Sequence, residues 1–272
     1  MVSGWQAGTL EVSGGHLAYH RTGGPGPAML LSHGLTDNGL CWSRVAKALE
    51  ADYDIVMLDA RGHGESARLH GGETHDSGQD IAEAIECLKL NLPIVVGHSV
   101  GALAVAAFAN AHPDRASKVI LEDPPFLPIA NQTAGPERQK KFRQQVAEFH
   151  AMSDAEITDM GRHLSPDWHT DEFPAWTLGK RQVDPAAMPL SFPRWQTLID
   201  KIAAPTLLIH GETARGGLVT PEVAAEAVML NPRIRPVQIE GAGHNIRREN
   251  FDAFLLAVRE FLDESESRRC KN

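Results

Sequence analysis

Ser99 stands at the centre of Gly97-His98-Ser99-Val100-Gly101, and His244 closes a run of small residues, Gly241-Ala242-Gly243. A serine hydroxyl is a poor nucleophile until a base takes its proton, and imidazole, which titrates near neutrality, suits that task. The two side chains could therefore carry acyl transfer: the hydroxyl attacks a carbonyl carbon while the imidazole shuttles the proton. Taken singly, each has a plainer reading, a Gly-Ser turn and a loop histidine, and Gly-x-Ser-x-Gly recurs by chance. The flanks decide between them.

Ile94-Val95-Val96, bounded by Pro93, reads as a short buried strand, and Ala102-Leu103-Ala104-Val105-Ala106-Ala107-Phe108 reads as a buried helix. Ser99 would sit at the sharp turn between them, in a strained backbone position that lifts its hydroxyl clear of the sheet. The glycines two residues to either side let strand and helix approach closely. His244 follows the final strand pattern, Pro236-Val237-Gln238-Ile239, so in a parallel sheet it emerges at the same edge as Ser99. A strand over 28–32 runs directly into His33-Gly34-Leu35, which places the Leu35 amide where it could meet a reacting oxygen.

The rest of the chain supplies the frame. Residues 9–12 and 17–20 read as a β-hairpin, 42–51 as a helix and 55–59 as a strand. A helix that Ser77 and Asp80 introduce carries Ile81, Ile85, Leu88 and Leu92 on one face. Arg61 and His63 lie in a glycine-spaced polar turn, which favours a structural role for both. After a strand over 119–123 the strand pattern stops. Helical segments follow, with Phe142, Val146 and Phe149 on one and Ile157, Met160 and Leu164 on the next, the latter behind a Ser153/Glu156 capping box. Eight of the fourteen Phe and Trp residues fall in this stretch, enough to roof an apolar pocket, with Trp168, Trp176 and Phe126 as candidate pocket residues. Strand and helix patterns resume over 205–210, with Thr220-Pro221 starting a helix, and the charged tail over 263–272 is expected to fray. Residues 1–124 and 197–272 thus form an α/β core, and residues 125–196 form a helical lid.

Composition narrows the function. A net charge of −9 argues against nucleic acid, whose phosphates need a concentrated basic face. No apolar run is long enough to span a bilayer, and the N-terminus lacks a signal-peptide pattern, so a cytoplasmic protein is expected, either a monomer or a homodimer, with no membrane partner. Cys41, Cys87 and Cys270 are widely spaced and form no C-x-x-C pair, and the thirteen histidines show no ligand spacing. Neither disulfides, metal nor any other cofactor is expected.

With His33-Gly34, Asp59-Ala60-Arg61-Gly62-His63-Gly64-Glu65-Ser66, Gly97-His98-Ser99-Val100-Gly101 and Gly243-His244 in place, the chain resembles the α/β-hydrolase family, specifically its capped esterase and lactonase members. The resemblance implies a mostly parallel sheet of about eight strands flanked by helices, with the lid inserted after the sixth strand. It also implies a Ser99–His244–acid triad with an oxyanion hole at the Leu35 and Val100 amides. The acid is where the chain departs from the common pattern. Most such hydrolases carry an Asp in the loop after the strand matching 205–210, but here that loop offers only Glu212. Some relatives, including haloalkane dehalogenases and fungal zearalenone lactonases, place it one strand earlier, where Glu122-Asp123 lies. Asp123, Glu212 and Glu122 all stay open.

Serine at the elbow, where dehalogenases and epoxide hydrolases carry Asp, leaves the hydrolysis of a carboxylic ester or lactone of a small apolar substrate as the first expectation. Carbon–carbon or amide bond hydrolysis is the alternative on the same fold. From a different class comes a hydrolase-like ligand receptor with little turnover.

Overall fold

The computed structural model describes residues 4–69, 75–128, 135–189 and 191–264. Eight strands form one sheet: β1 (Gln6–Val12), β2 (Gly15–Arg21), β3 (Ala28–Ser32), β4 (Asp54–Leu58), β5 (Ile94–His98), β6 (Lys118–Glu122), β7 (Thr206–His210) and β8 (Ile234–Gln238). Their order is β1-β2-β4-β3-β5-β6-β7-β8. The β1/β2 hairpin and the β2/β4 pair are antiparallel, and β4 through β8 pair in parallel.

Ten helices accompany them among the described residues: α1 (Ser43–Leu49), α2 (Ser77–Cys87), α3 (Val100–Ala111), α4 (Pro136–Ala151), α5 (Asp154–Leu164), α6 (Glu172–Gln182), α7 (Gln196–Ile199), α8 (Pro221–Leu230), α9 (Ile246–Glu249) and α10 (Phe251–Asp263). None of them is long and apolar enough to cross a membrane. Helices α4 to α7 lie between β6 and β7, the interval in which the sequence loses its strand pattern.

Two-residue periodicity along the central strands sends alternate side chains to two cores. Leu30, Val95, Val119 and Leu121 face α2 and α3, where Ile81, Ile85, Val105 and Phe108 meet them. Met29, Leu31, Val96 and Ile120 face α1 and α10, against Val45, Leu49, Phe254 and Phe261. Burial on both faces is why these strands read as unbroken apolar runs, and it aligns the carboxyl ends of β3, β5, β6 and β8 along one edge.

Several local expectations shift. Helix α2 is capped by Asp76, whose carboxylate accepts from the Gly78 and Gln79 amides, so Ser77 is its first residue rather than its cap. Leu92 does not continue that helix: it sits in the following turn at φ 44° and is 51% exposed. The Ser153/Glu156 capping box and the Thr220 cap are present, whereas Leu164 is exposed. Cys270 and most of the charged tail lie outside the described residues.

Candidate active site

Ser99 joins β5 to α3 at φ 56° and ψ −124°, a conformation that costs an L-residue about 1–3 kcal/mol. Local hydrogen bonds hold it there. The Ser99 amide donates to the Glu122 carbonyl at 2.9 Å, and its own carbonyl accepts from the Ala102 and Leu103 amides. A side chain on Gly97 would collide with the Gly101 carbonyl, and one on Gly101 with the His33 carbonyl, so both glycines are required by close approach.

His244, 145 positions along the chain, places Nε2 3.0 Å from Ser99 Oγ. Its Nδ1 lies 2.7 Å from Asp123 Oδ2. A carboxylate can only accept, so Nδ1 carries the proton, and Nε2 is left free to accept from the serine hydroxyl. Asp123 is fully buried at the end of β6, with φ 43°, and it also accepts from the Leu218 and Val219 amides at 2.9 and 3.1 Å. The loop after β7 has no aspartate, but it donates two N–H groups to one.

The other two carboxylates hold the backbone around His244 and do not touch its ring. Glu212 accepts from the Gly241 amide at 2.6 Å. Glu122, completely buried, takes the Arg247 amide at 2.9 Å and its guanidinium at 3.0 Å. Burial pushes the Glu122 carboxyl above its ordinary range, against the pull of Arg247.

Facing the elbow, His33 Nδ1 donates to the Gly34 carbonyl at 2.8 Å, and the Asp37 amide donates to the same oxygen at 3.1 Å. The Gly34–Leu35 peptide is planar and trans, so fixing its carbonyl turns the Leu35 N–H the opposite way. His33 Nε2 accepts from the Ala60 amide at 3.0 Å, and burial, reinforced by His63, pushes its pKa down to about 3. It therefore stays neutral. His63 lies against the Leu35 carbonyl, and Arg61 is tied to Asp80 at 2.6 Å and to the Ser13 and Gly14 carbonyls. Both contribute the structural contacts expected of that turn.

Two features escaped the sequence reading. His98, 3% exposed, donates from Nε2 to the His244 carbonyl at 3.0 Å. Burial, with Arg247 and His244 nearby, holds its pKa well below the usual value, so it spans elbow and histidine loop without competing for a proton. The second is a buried ion cluster. Asp37 receives Arg248 at 3.0 Å, Arg247 at 3.2 Å and Lys180 at 3.5 Å, while Arg248 also meets Glu172 at 3.3 Å. Burial would raise the Asp37 carboxyl, but Arg248, Lys180 and Arg247 hold it well below the ordinary carboxylate range. Through these contacts α6 is bound to α9 and to the loop after β3. The adjacent Arg247-Arg248 pair was the available signal, yet nothing in the chain order announced its partners.

A cavity of about 1010 Å³ opens beside the elbow, with Leu35, Val100 and Ser77 among its lining residues. Its lining corrects the expected pocket aromatics. Trp168 and Trp176 pack with Phe173 and Ile157 in a separate small core, and their rings receive Arg248 at 4.8 Å and Lys180 at 4.5 Å. Neither ring is among the residues that line this cavity. Phe126 is buried and stacks on Trp195 at 4.7 Å. Phe192 is the one Phe, Tyr or Trp among the described lining residues, beside Leu103, Met188 and Leu198.

Comparison with known proteins agrees with this fold. N-formylmaleamate deformylase of Pseudomonas putida is 27% identical over 270 residues, covering 94% of this chain and 96% of its own. Esterase YbfF of Escherichia coli is 25% identical over 246 residues, covering 87% and 93%. The crystal structure of E-2-(acetamidomethylene)succinate hydrolase superposes with a TM-score of 0.77 at 22% identity, covering 95% of this chain and 99% of that one. Residues 27–250 match the family described as alpha/beta hydrolase fold. The chain therefore belongs to the α/β-hydrolase family.

Proposed function

We propose that this hydrolase cleaves a carboxylic ester or lactone through an acyl-enzyme on Ser99, with His244 as base and Asp123 as its orienting acid. The observation that carries this reading is the unbroken chain from Ser99 Oγ through His244 to Asp123, at 3.0 and 2.7 Å. Ser99 Oγ attacks the carbonyl carbon and its proton passes to His244 Nε2, giving a tetrahedral oxyanion. The Leu35 and Val100 amides receive that charge. Val100 is the first residue of α3, where the amides lack helical partners, and each such donor contributes about 3 kcal/mol to transition-state stabilisation. Collapse breaks the bond between the carbonyl carbon and the alcohol oxygen, which takes the proton from His244. Water, deprotonated by His244, then attacks the acyl carbon, and the Ser99 oxygen recovers the proton as the acid departs. Helices α4 to α6 act as the lid, within residues 125–196.

The lining by Leu103, Met188, Phe192 and Leu198 favours an apolar acyl group. A second reading, hydrolysis of an N-acyl bond, is favoured by the deformylase relative, which spans nearly the whole chain. The same triad serves both, and the leaving group distinguishes them. Matched p-nitrophenyl acetate, γ-lactone and N-acetyl anilide substrates test the reading: the ester or lactone is expected to turn over faster, at a rate that Ser99→Ala reduces by at least ~10³-fold. Preferential anilide cleavage would establish the second reading instead.

A further inference from the structure

Resting on the ester reading above, we propose that the acyl chain of the substrate lies along α3, and that Ala104 and Ala107 set its maximum length. Val100, Leu103, Ala104 and Ala107 recur at helical spacing, and all four line the cavity, which makes one stripe of α3 its floor. The stripe begins beside the nucleophile at Val100 and ends at Ala107. Seven residues at 1.5 Å each give a floor about 10 Å long. An extended chain advances about 1.3 Å per methylene, the projection of a ~1.5 Å carbon–carbon bond, so the floor accommodates an acyl group of about eight carbons. The first turn of α2 borders the cavity at the level of Ala107. Ser77 lines the cavity there, and a Cβ on Gly78 would stand 3.0 Å from the Ala107 Cβ, so the two helices meet at that level.

Small side chains on this stripe are what keep the trough open. Leucine at position 107 would fill its distal end, and leucine at 104, one helical turn nearer Ser99, would block it about three methylenes earlier. Close packing of α2 on α3 also favours alanine at 107, but packing alone assigns no relation between a residue's height on α3 and the chain length accepted.

The test compares wild type, Ala104→Leu and Ala107→Leu on p-nitrophenyl acetate, butyrate, hexanoate and octanoate, with each profile normalised to that protein's own acetate rate and thermal unfolding recorded in parallel. The octanoate/acetate ratio is expected to fall at least tenfold in both variants. The hexanoate/acetate ratio should fall tenfold only in Ala104→Leu and stay within threefold in Ala107→Leu. Profiles that stay parallel to wild type, or a reversed order of cut-offs, would overturn the assignment while leaving the ester reading standing. Absence of wild-type turnover on all four esters would overturn both. Loss of folded protein scales every chain length alike and cancels in the normalised ratios; where a leucine variant does not fold, Ala104→Val and Ala107→Val repeat the comparison with less added volume, and the graded order again decides.

Discussion

At the scale of single residues, the choice of acid turns on what each carboxylate is asked to hold. Asp123 touches the imidazole, whereas Glu212 holds only the Gly241 amide. Asp123→Asn should therefore lower kcat by about 10³- to 10⁴-fold, because an amide side chain no longer enforces the Nδ1–H tautomer of His244. Glu212→Gln should cost less than about tenfold, since an amide oxygen still accepts from Gly241. Steady-state kinetics of the two variants side by side check this, and equal losses would count against the assignment. Ser99 and His244 were legible in the sequence because turn chemistry is local and chain order supplied the rest. The acid stayed ambiguous for a physical reason: the loops after β6 and β7 converge on one point, and the second provides amides where a carboxylate was sought.

At the scale of elements, α4 and α5, which lie between β6 and β7, were legible as helices, but what they pack against was not. Periodicity reports which face of a helix is buried, not what it is buried against. Trp168 and Trp176 were expected over the nucleophile, yet their faces serve Arg248 and Lys180. That cluster makes a stability prediction. Removing one partner from a buried ion set leaves the others uncompensated and costs about 3–5 kcal/mol. Asp37→Asn should fall in that range by urea unfolding, with an unchanged denaturant slope. Asp159→Asn, which breaks a solvent-exposed pair with Arg162, should stay within about 0.5 kcal/mol. Similar losses for both would show that the Asp37 cluster is not the link between α6 and α9.

Taken as a whole molecule, the fold was the most legible level, because alternating strand and helix patterns admit few topologies and the elbow fixes the edge of the sheet at which chemistry occurs. Its acid response was not legible, since it depends on which histidines are buried. His33 and His98 are buried and held neutral, with pKa values lowered chiefly by burial, to about 3 for His33; burial lowers that of His63 as well. Below the unfolded value near 6.5, the unfolded chain binds protons that the folded chain refuses. Their contribution is thus complete above pH 6.5 and is lost as the pH falls toward the folded values, at up to about 1.4 kcal/mol per pH unit for each histidine. The unfolding temperature should accordingly drop between pH 7 and 5, and a flat profile over that window would contradict the buried neutral state.

In the proposed mechanism Ser99 carries the acyl group between two half-reactions. Rapid mixing with p-nitrophenyl acetate, followed by acid quench and peptide mass spectrometry, measures this directly. An acetyl adduct is expected on the peptide containing Ser99, formed within the first turnover and missing from Ser99→Ala. Full turnover by Ser99→Ala, or an adduct located on any other side chain, would contradict it.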